Sequence, residues 1–332
     1  MSFVRTLLGL TASLVILIAT PVYRASAADS CSLKQVASLP ASFQYGVVID
    51  TKVNGTLARL YLDTYSDVSG LNEAFARRIG LPIEDNPTAV YGSGSRNLNL
   101  MTHVHQFELG NAKSQDEAFL LMPDEGDGTN DSPVGIFASD YLANYDLEID
   151  PAGNKVVLRS QDHCRGQVVY WDKEYFATPI LFRNNGARQH PELDVTVDGK
   201  TLHAVISTTA FTTVVRQLVA EERLGWAVGT EATPKNGTWT DDDGRKLDQY
   251  EHTIQSLTFG DVTLHNMKVE IQPINLAAHV KDVGSHFSTL NTQQPDIFIG
   301  MDLLKKFHIY LAYKEATLYY TIAAPPKSVA GQ

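Results

Sequence analysis

The stretch LYLDTYSDVSG, from Leu60 to Gly70, holds the residues best placed for acid–base chemistry. Three residues that are mostly apolar lead into Asp63-Thr64, where the chain turns. An apolar strand that delivers a carboxylate into a turn holds an acid on rigid backbone. An Asp-Thr pair that merely ends a strand would look the same, because Asp and Ser are common turn residues. A single copy of the pattern leaves both interpretations open.

The same arrangement occurs a second time. TKVNGTLARLYLDTYS aligns with VTVDGKTLHAVISTTA, so that Gly55 corresponds to Gly199 and Asp63 to Ser207. The shift is constant, since 199 − 55 = 144 and 207 − 63 = 144. Each copy reads as strand, Asn/Asp-Gly turn and apolar strand, which predicts a β-hairpin.

The two copies continue in parallel along the chain. FELGNAKSQDEAFLLM resembles LTFGDVTLHNMKVEIQ, and GIFASDYLANYDLEID resembles FIGMDLLKKFHIYLAY. The last pair is offset by 300 − 138 = 162 residues, so the second copy carries 162 − 144 = 18 extra residues of loop. A strand-rich unit of this length is too long for a solenoid repeat and predicts two similar lobes.

This order of elements resembles the retropepsin-like and pepsin-like aspartic peptidases. The family pattern is an Asn-Gly hairpin, Asp-Thr-Gly, a helix, a flap hairpin, and an apolar-apolar-Gly segment with a short helix. FIG at 298–300 matches the last element, and IFA at 136–138 is its first-lobe counterpart, with Ala for Gly. The resemblance covers nearly all of the chain after residue 27. It implies a mostly β fold, with two acid-protease β-barrel lobes and a cleft between them.

The resemblance implies catalytic positions at Asp63, Thr64, Ser207 and Thr208, yet the chain departs from the family there. In the family, two carboxylates share one proton, one acting as base on water and the other polarising the scissile carbonyl. Here the second carboxylate is replaced by Ser207, whose hydroxyl does not titrate near neutral pH. Both threonines remain, and in the family their hydroxyls brace the two turns against each other.

The resemblance also implies six substrate-binding positions: Tyr65, Asp67, Tyr91, Gly92, Gly94 and Thr209. Tyr65 and Thr209 replace family glycines and would add bulk beside a ligand, or turn away. Asp67 stands at the position where retroviral-type sequences carry an Asp that holds the backbone of a peptide. A helix N-cap is the alternative role. Residues 91–94 stand in the flap region, and an ordinary hairpin is the alternative there.

Residues 1–27 predict a secretory signal, with Arg5, a mostly apolar run and a small-x-small site ending at Ala27. The apolar run is short for a membrane span, so we expect an exported protein, periplasmic or extracellular, without stable membrane insertion. The expected divisions of the mature chain are a first lobe at 28–165, a second lobe at 166–323 and a disordered tail at 324–332.

Two cysteines, Cys31 and Cys164, lie at the two ends of the first lobe. In an oxidising compartment they predict a disulfide that joins the ends of that lobe, and two free thiols are the alternative. The formal net charge of −11 argues against nucleic acid as a partner. His103 and His105 share a strand face, but no third zinc ligand is evident nearby. We expect no cofactor.

Local patterns give further expectations. Ser42 to Asp50 reads as one strand, and Leu71, Phe75 and Ile79 mark a short amphipathic helix. Residues 161–175 read as the link between the lobes, 228–248 as a polar, irregular insertion, and 308–320 as a last hairpin.

Two functions remain open from sequence. One is a non-catalytic or weakly active relative of the peptidases that binds extended peptide between its lobes. The other is an active aspartic endopeptidase in which Asp63 works with a second carboxylate that the sequence does not reveal. Catalysis by a dyad needs two carboxylates, which favours the first reading.

Overall fold

A computed structural model describes residues 32–91, 97–123, 132–182, 190–240, 245–274, 279–281, 289–290 and 294–323. The first half contains β1 (Gln35–Ser42), β2 (Val48–Val53), β3 (Thr56–Leu62), β4 (Gly70–Asn72), α1 (Glu73–Arg78), β5 (Glu84–Tyr91), β6 (Asn97–Leu109), β7 (Ala112–Met122), β8 (Gly135–Phe137), α2 (Ser139–Leu142), β9 (Asp146–Asp150) and β10 (Lys155–Arg159).

The second half repeats this order. It contains β11 (Phe176–Pro179), β12 (Glu192–Val197), β13 (Lys200–Ile206), β14 (Val214–Arg216), α3 (Gln217–Val219) followed by a π-helical turn (Ala220–Leu224), β15 (Lys235–Thr240), β16 (Lys246–Phe259), β17 (Val262–Gln272), β18 (His279–Lys281), β19 (Thr289–Leu290), β20 (Ile297–Ile299), α4 (Met301–Leu304), β21 (Phe307–Ala312) and β22 (Thr317–Ile322).

Two closed six-stranded barrels form among these described strands, which confirms the predicted mostly β fold with two β-barrel lobes. The first runs β2-β3-β8-β4-β7-β6 and closes through β2–β6. The second runs β12-β13-β20-β14-β17-β16 and closes through β12–β16. In each barrel the strand that ends at the Asp63 or Ser207 turn pairs in parallel with the short strand of the apolar-apolar-Gly segment.

The predicted hairpins at the start of each barrel are confirmed. Asn54 and Gly55 have φ angles of 48° and 80°, and Asp198 and Gly199 have φ angles of 46° and 81°. Positive φ at both central residues defines the two-residue turn that suits the twist of paired strands, and Asn/Asp-Gly adopts it at little steric cost. The turn residues therefore fix the register of β2–β3 and β12–β13.

Two local predictions were wrong. The single strand predicted from Ser42 to Asp50 is divided, because the chain bends at Gly46, with φ of 101°, and pairing resumes at Val48. Residues 228–248 were predicted to be irregular, but they contain β15, which pairs with β16 at the end of the second barrel's sheet. A strand at a sheet edge is exposed to water, so β15 is polar and lacks the apolar pattern that would have predicted a strand.

A third layer joins the lobes. Strands β1, β10 and β9 continue through β21, β22 and β11 into one antiparallel arrangement, whose central pairing places Ile149 opposite Ile309 and Leu147 opposite Leu311. The predicted last hairpin forms β21–β22. One apolar core of buried residues runs through this layer and both barrels. No helix in the described part of the chain is both long enough and apolar enough to cross a bilayer.

A buried polar cluster covers the outer side of this layer. Glu148, fully buried, accepts hydrogen bonds from Arg159 Nε at 2.7 Å, Tyr170 OH at 2.7 Å and His308 Nε2 at 3.1 Å. Burial alone would raise the pKa of Glu148, but the hydrogen bonds from His308 and Tyr170 and the charge of Arg159 outweigh it and lower that pKa. Trp171 stacks on His308 at 3.9 Å, so the predicted link at 161–175 is anchored to the sheet.

Candidate functional site

Strand β3 delivers Asp63 into a turn that holds its carboxylate tightly. The backbone N–H of Asp63 donates to Phe137 O at 2.9 Å, which ties the turn to β8. Its Oδ1 accepts from the N–H groups of Tyr65 at 2.8 Å and Ser66 at 3.1 Å, and its Oδ2 accepts from Ser66 Oγ at 2.5 Å. Three donors from one turn fix the orientation of this carboxylate, which is 6% exposed.

Ser207 occupies the corresponding turn of the second barrel. Its backbone N–H donates to Ile299 O at 3.0 Å, which matches the Asp63 contact at the shifts of 144 and 162 residues. Its Oγ accepts from Ala210 N at 3.2 Å, just as Asp63 accepts from the N–H three residues along. Thr209 Oγ1 lies 3.5 Å from Ser207 Oγ. The second turn therefore shares two supports of the first, the backbone bond to the neighbouring strand and the N–H three residues along, with a hydroxyl where the first has a carboxylate.

The two turns meet through Thr64 and Thr208, both fully buried. Thr64 Oγ1 donates to Ile206 O at 2.6 Å, and Thr208 Oγ1 donates to Leu62 O at 2.5 Å. Each hydroxyl also accepts the other threonine's backbone N–H, at 3.1 and 3.3 Å, and the two hydroxyl oxygens lie 3.4 Å apart. This reciprocal set places the Asp63 and Ser207 turns face to face about a local two-fold axis.

This geometry limits the chemistry available at the turns. The hydrogen bonds that the structure gives to the Asp63 carboxylate all come from its own turn. The position related to it by the local two-fold holds the Ser207 hydroxyl, which is neither an acid nor a base near neutral pH. One carboxylate can activate water, but it cannot at the same time donate a proton to a carbonyl.

Tyr65 and Asp67 are both engaged by the second lobe. The Tyr65 ring packs edge-on against Phe298 at 5.2 Å and lies 4.9 Å from the ring of His190. Burial raises the pKa of Tyr65, and the charges of Asp67, Glu192 and Asp63 act in the same direction. Asp67 Oδ1 pairs with His190 Nε2 at 2.9 Å.

The alternative role for Asp67 as a helix N-cap is wrong. The N-cap of α1 is Asn72, five residues further along, and no side-chain hydrogen bond caps that helix. His190 is a residue that the sequence reasoning missed. The available signal was its place in the repeat, since 190 − 46 = 144 sets it opposite Gly46, in the loop before the first strand of its barrel.

The other implied site residues lie at or beyond the edge of the described regions. Tyr91 is the last residue of β5 and pairs with Asn97 of β6, whereas Gly92 and Gly94 lie outside the described residues. The flap therefore stays a prediction. Cys31, the signal at 1–27 and the tail at 324–332 also lie outside the described residues, so the Cys31–Cys164 disulfide stays a prediction as well.

Comparison with known proteins gives one family. Residues 193–303, 111 of the 332 in the chain, match the family model described as aspartyl protease. Among solved structures, the crystal structure of aspartic proteinase from Irpex lacteus aligns with 89% of this chain and 99% of its own, at 13% identity and a TM-score of 0.48. No curated protein matches the sequence.

Proposed function

We propose that this chain, which is similar to the aspartic peptidases in the family model that it matches and in its two-lobed fold, is an exported protein that binds extended peptide between its lobes and has lost most or all peptidase activity. Its ligand is a peptide or an unfolded protein segment. The net charge of −11 disfavours nucleic acid, because phosphate backbones need Lys and Arg partners.

One observation carries the proposal. Ser207 stands at the position related by the local two-fold to Asp63, while the reciprocal Thr64–Thr208 hydrogen bonds are complete. The architecture that holds two reacting groups together is thus present, and one of the two groups is missing. A protein with this fold and only one carboxylate of the dyad is better suited to binding a peptide than to hydrolysing it.

The expected loss of rate follows from the dyad mechanism. Aspartic peptidases need one carboxylate as base on water and a second, protonated, to polarise the scissile carbonyl. A positioned acid or base contributes about 10²–10⁴-fold to rate, so removing the acid half removes a factor of that size. Peptide binding does not depend on that proton, because it uses the surfaces on both sides of the turns.

Restoring the dyad tests the proposal. Cleavage of a casein substrate from pH 3 to pH 7 is measured for the natural protein, Ser207→Asp, and Ser207→Asp combined with Tyr65→Gly and Thr209→Gly. We expect little or no cleavage by the natural protein and a gain in the triple variant, because it restores both carboxylates and both glycines.

The control is Asp63→Asn. Robust cleavage by the natural protein that Asp63→Asn abolishes would establish the alternative, an active aspartic endopeptidase with a second carboxylate not yet identified. Retention of peptide binding by the natural protein is measured in parallel with fluorescein-labelled peptides, and failure to bind any of them would reject the binding role.

A further inference from the structure

The side chain of Tyr65 crosses to the second barrel. With Ile274, it packs against Val205, Val214 and Phe298, three buried residues that form an apolar cluster separate from the main core. These three residues are the second-barrel patch. Val205 and Phe298 are partners on the parallel strands β13 and β20, and Val205 lies two residues before Ser207. The apolar surface beside Ser207 is therefore already covered by a residue of the same chain.

His190 holds Tyr65 in place from the other side. Its ring lies 4.9 Å from the Tyr65 ring, and its Nε2 lies 2.9 Å from Asp67 Oδ1. Asp67 is two residues beyond Tyr65, so this contact helps to hold the backbone that carries the ring. The Tyr65 ring therefore contacts both Phe298 and His190, and its displacement would cost both contacts.

The local two-fold relates this patch to a matching one on the first barrel. Subtracting the repeat shifts maps Val205 onto Tyr61 (205 − 144 = 61) and Phe298 onto Ile136 (298 − 162 = 136). Tyr61 and Ile136 are partners on the parallel strands β3 and β8, and both side chains are partly exposed. These two residues form the first-barrel patch.

The second turn does not cover the first-barrel patch. The residue that corresponds to Tyr65 is Thr209, whose short side chain lies 3.5 Å from Ser207 in its own turn. The residue that corresponds to Asp67 is Phe211, which is 52% exposed, and its ring lies 5.5 Å from the ring of Tyr45, itself 63% exposed. On one side of the axis the Tyr65 ring contacts His190, whereas the other side has two exposed aromatic rings.

We propose that the two sides of the site are unequal, and that a peptide places one aromatic or large aliphatic side chain on the first-barrel patch beside Tyr45 and Phe211. Tyr65 keeps the second-barrel patch closed to ligand and is a specificity-determining residue. The inference rests on the proposed peptide binding and names its ligand class. The net charge of −11 favours a neutral or basic peptide.

Three fluorescein-labelled nine-residue peptides with lysine at both ends and Ser/Thr between them test this by fluorescence anisotropy. One has no Phe, one has a central Phe, and one has two consecutive Phe residues. The natural protein should bind the one-Phe peptide about tenfold more tightly than the peptide without Phe, the effect of partly burying one ring. A second Phe should add nothing, because Tyr65 occupies its place.

Variants separate the two sides. Tyr65→Ala should make the two-Phe peptide bind about tenfold more tightly than the one-Phe peptide. Phe211→Ala should remove most of the advantage of the first Phe. Leu57→Ala, which shortens an apolar side chain that is 53% exposed near the opposite end of β3 from Asp63, is the control and should change neither ratio. Tyr65→Val, a milder truncation, repeats the test should Tyr65→Ala fail to fold.

The outcomes distinguish this inference from the proposed function. The inference that the two sides are unequal is overturned if the second Phe strengthens binding to the natural protein. It is also overturned if the second Phe gives no gain in either Tyr65 variant. In both cases the proposed peptide binding is unaffected. If Phe211→Ala leaves the affinity advantage of the one-Phe peptide unchanged, the assignment of that Phe to the first-barrel patch is overturned. If none of the peptides binds any of the proteins, the proposed function and this inference both fall.

Discussion

Replacing Thr64 with Val should weaken the junction between the two lobes far more than an ordinary threonine substitution. Valine keeps the shape of the side chain and removes only the hydroxyl. The hydroxyl donates to Ile206 O at 2.6 Å and accepts from Thr208 N at 3.3 Å, so two buried hydrogen bonds across the lobes are lost. Ile206 and Thr208 are both buried, so the two groups would lose these bonds away from water.

The magnitude follows from those two bonds. Each lost bond costs about 1 kcal/mol net, and each stranded buried group adds about 1 kcal/mol or more, which gives about 2–5 kcal/mol in total. For a chain of this size the urea m-value is about 3 kcal/mol/M, so the midpoint should fall by about 1 M. The assay is urea unfolding followed by circular dichroism.

Thr51→Val is the matched control. Thr51 is also buried, and its Oγ1 donates to Ala58 O at 2.6 Å, but that bond lies within the β2–β3 hairpin. One lost bond there should cost about 1–2 kcal/mol. Equal midpoints for Thr64→Val and Thr51→Val would refute the reasoning that the reciprocal threonines hold the lobes together.

Three further predictions concern the buried Glu148, the close backbone contact at Gly300 and the two cysteines. Because the pKa of Glu148 is lowered in the fold, its stabilising contribution is present above the unfolded pKa of about 4.3 and is lost as pH falls through the folded value. Glu148→Gln should therefore flatten the dependence of Tm on pH below about 4.3 relative to the natural protein. An unchanged slope would contradict the assignment. A Cβ at Gly300 would lie 2.3 Å from Thr212 O, so Gly300→Ala should lower stability by about 1–3 kcal/mol in thermal melts, whereas Gly237→Ala, with nothing within 4 Å, should not. A thiol count on protein produced in an oxidising compartment and denatured without reductant should find neither Cys31 nor Cys164 free, and two reactive thiols would refute the predicted bridge.

The repeat made the fold and the position of the site predictable. Asn54-Gly55 and Asp198-Gly199 encode their turns locally, because their side chains tolerate positive φ, and the apolar strand that follows each turn is also local. A constant shift between the two copies then places Asp63 and Ser207 at matching points of two similar lobes. Nothing in that inference required knowledge of contacts between distant residues.

Features that depend on distant contacts were not predictable. Strand β9 reads Asp-Leu-Glu-Ile-Asp, the alternation typical of a strand with one face in water. In the structure Asp146 and Glu148 are fully buried, because the segment that carries His163 and Tyr170 covers that face. The pairing of Asp67 with His190 likewise joins residues 123 positions apart (190 − 67 = 123), and no local pattern encodes it.

The second turn shows how a serine at position 207 is accommodated without disturbing the architecture. Ala210 N donates to Ser207 Oγ much as Ser66 N donates to Asp63 Oδ1, so serine satisfies the backbone donor that a carboxylate would satisfy. Two carboxylates facing each other cannot both ionise easily, and that repulsion works against the folded state whenever both are charged. Serine removes the repulsion and keeps the hydrogen bond. Selection for a stable binding cleft therefore has no reason to retain the second acid, whereas selection for peptide hydrolysis does.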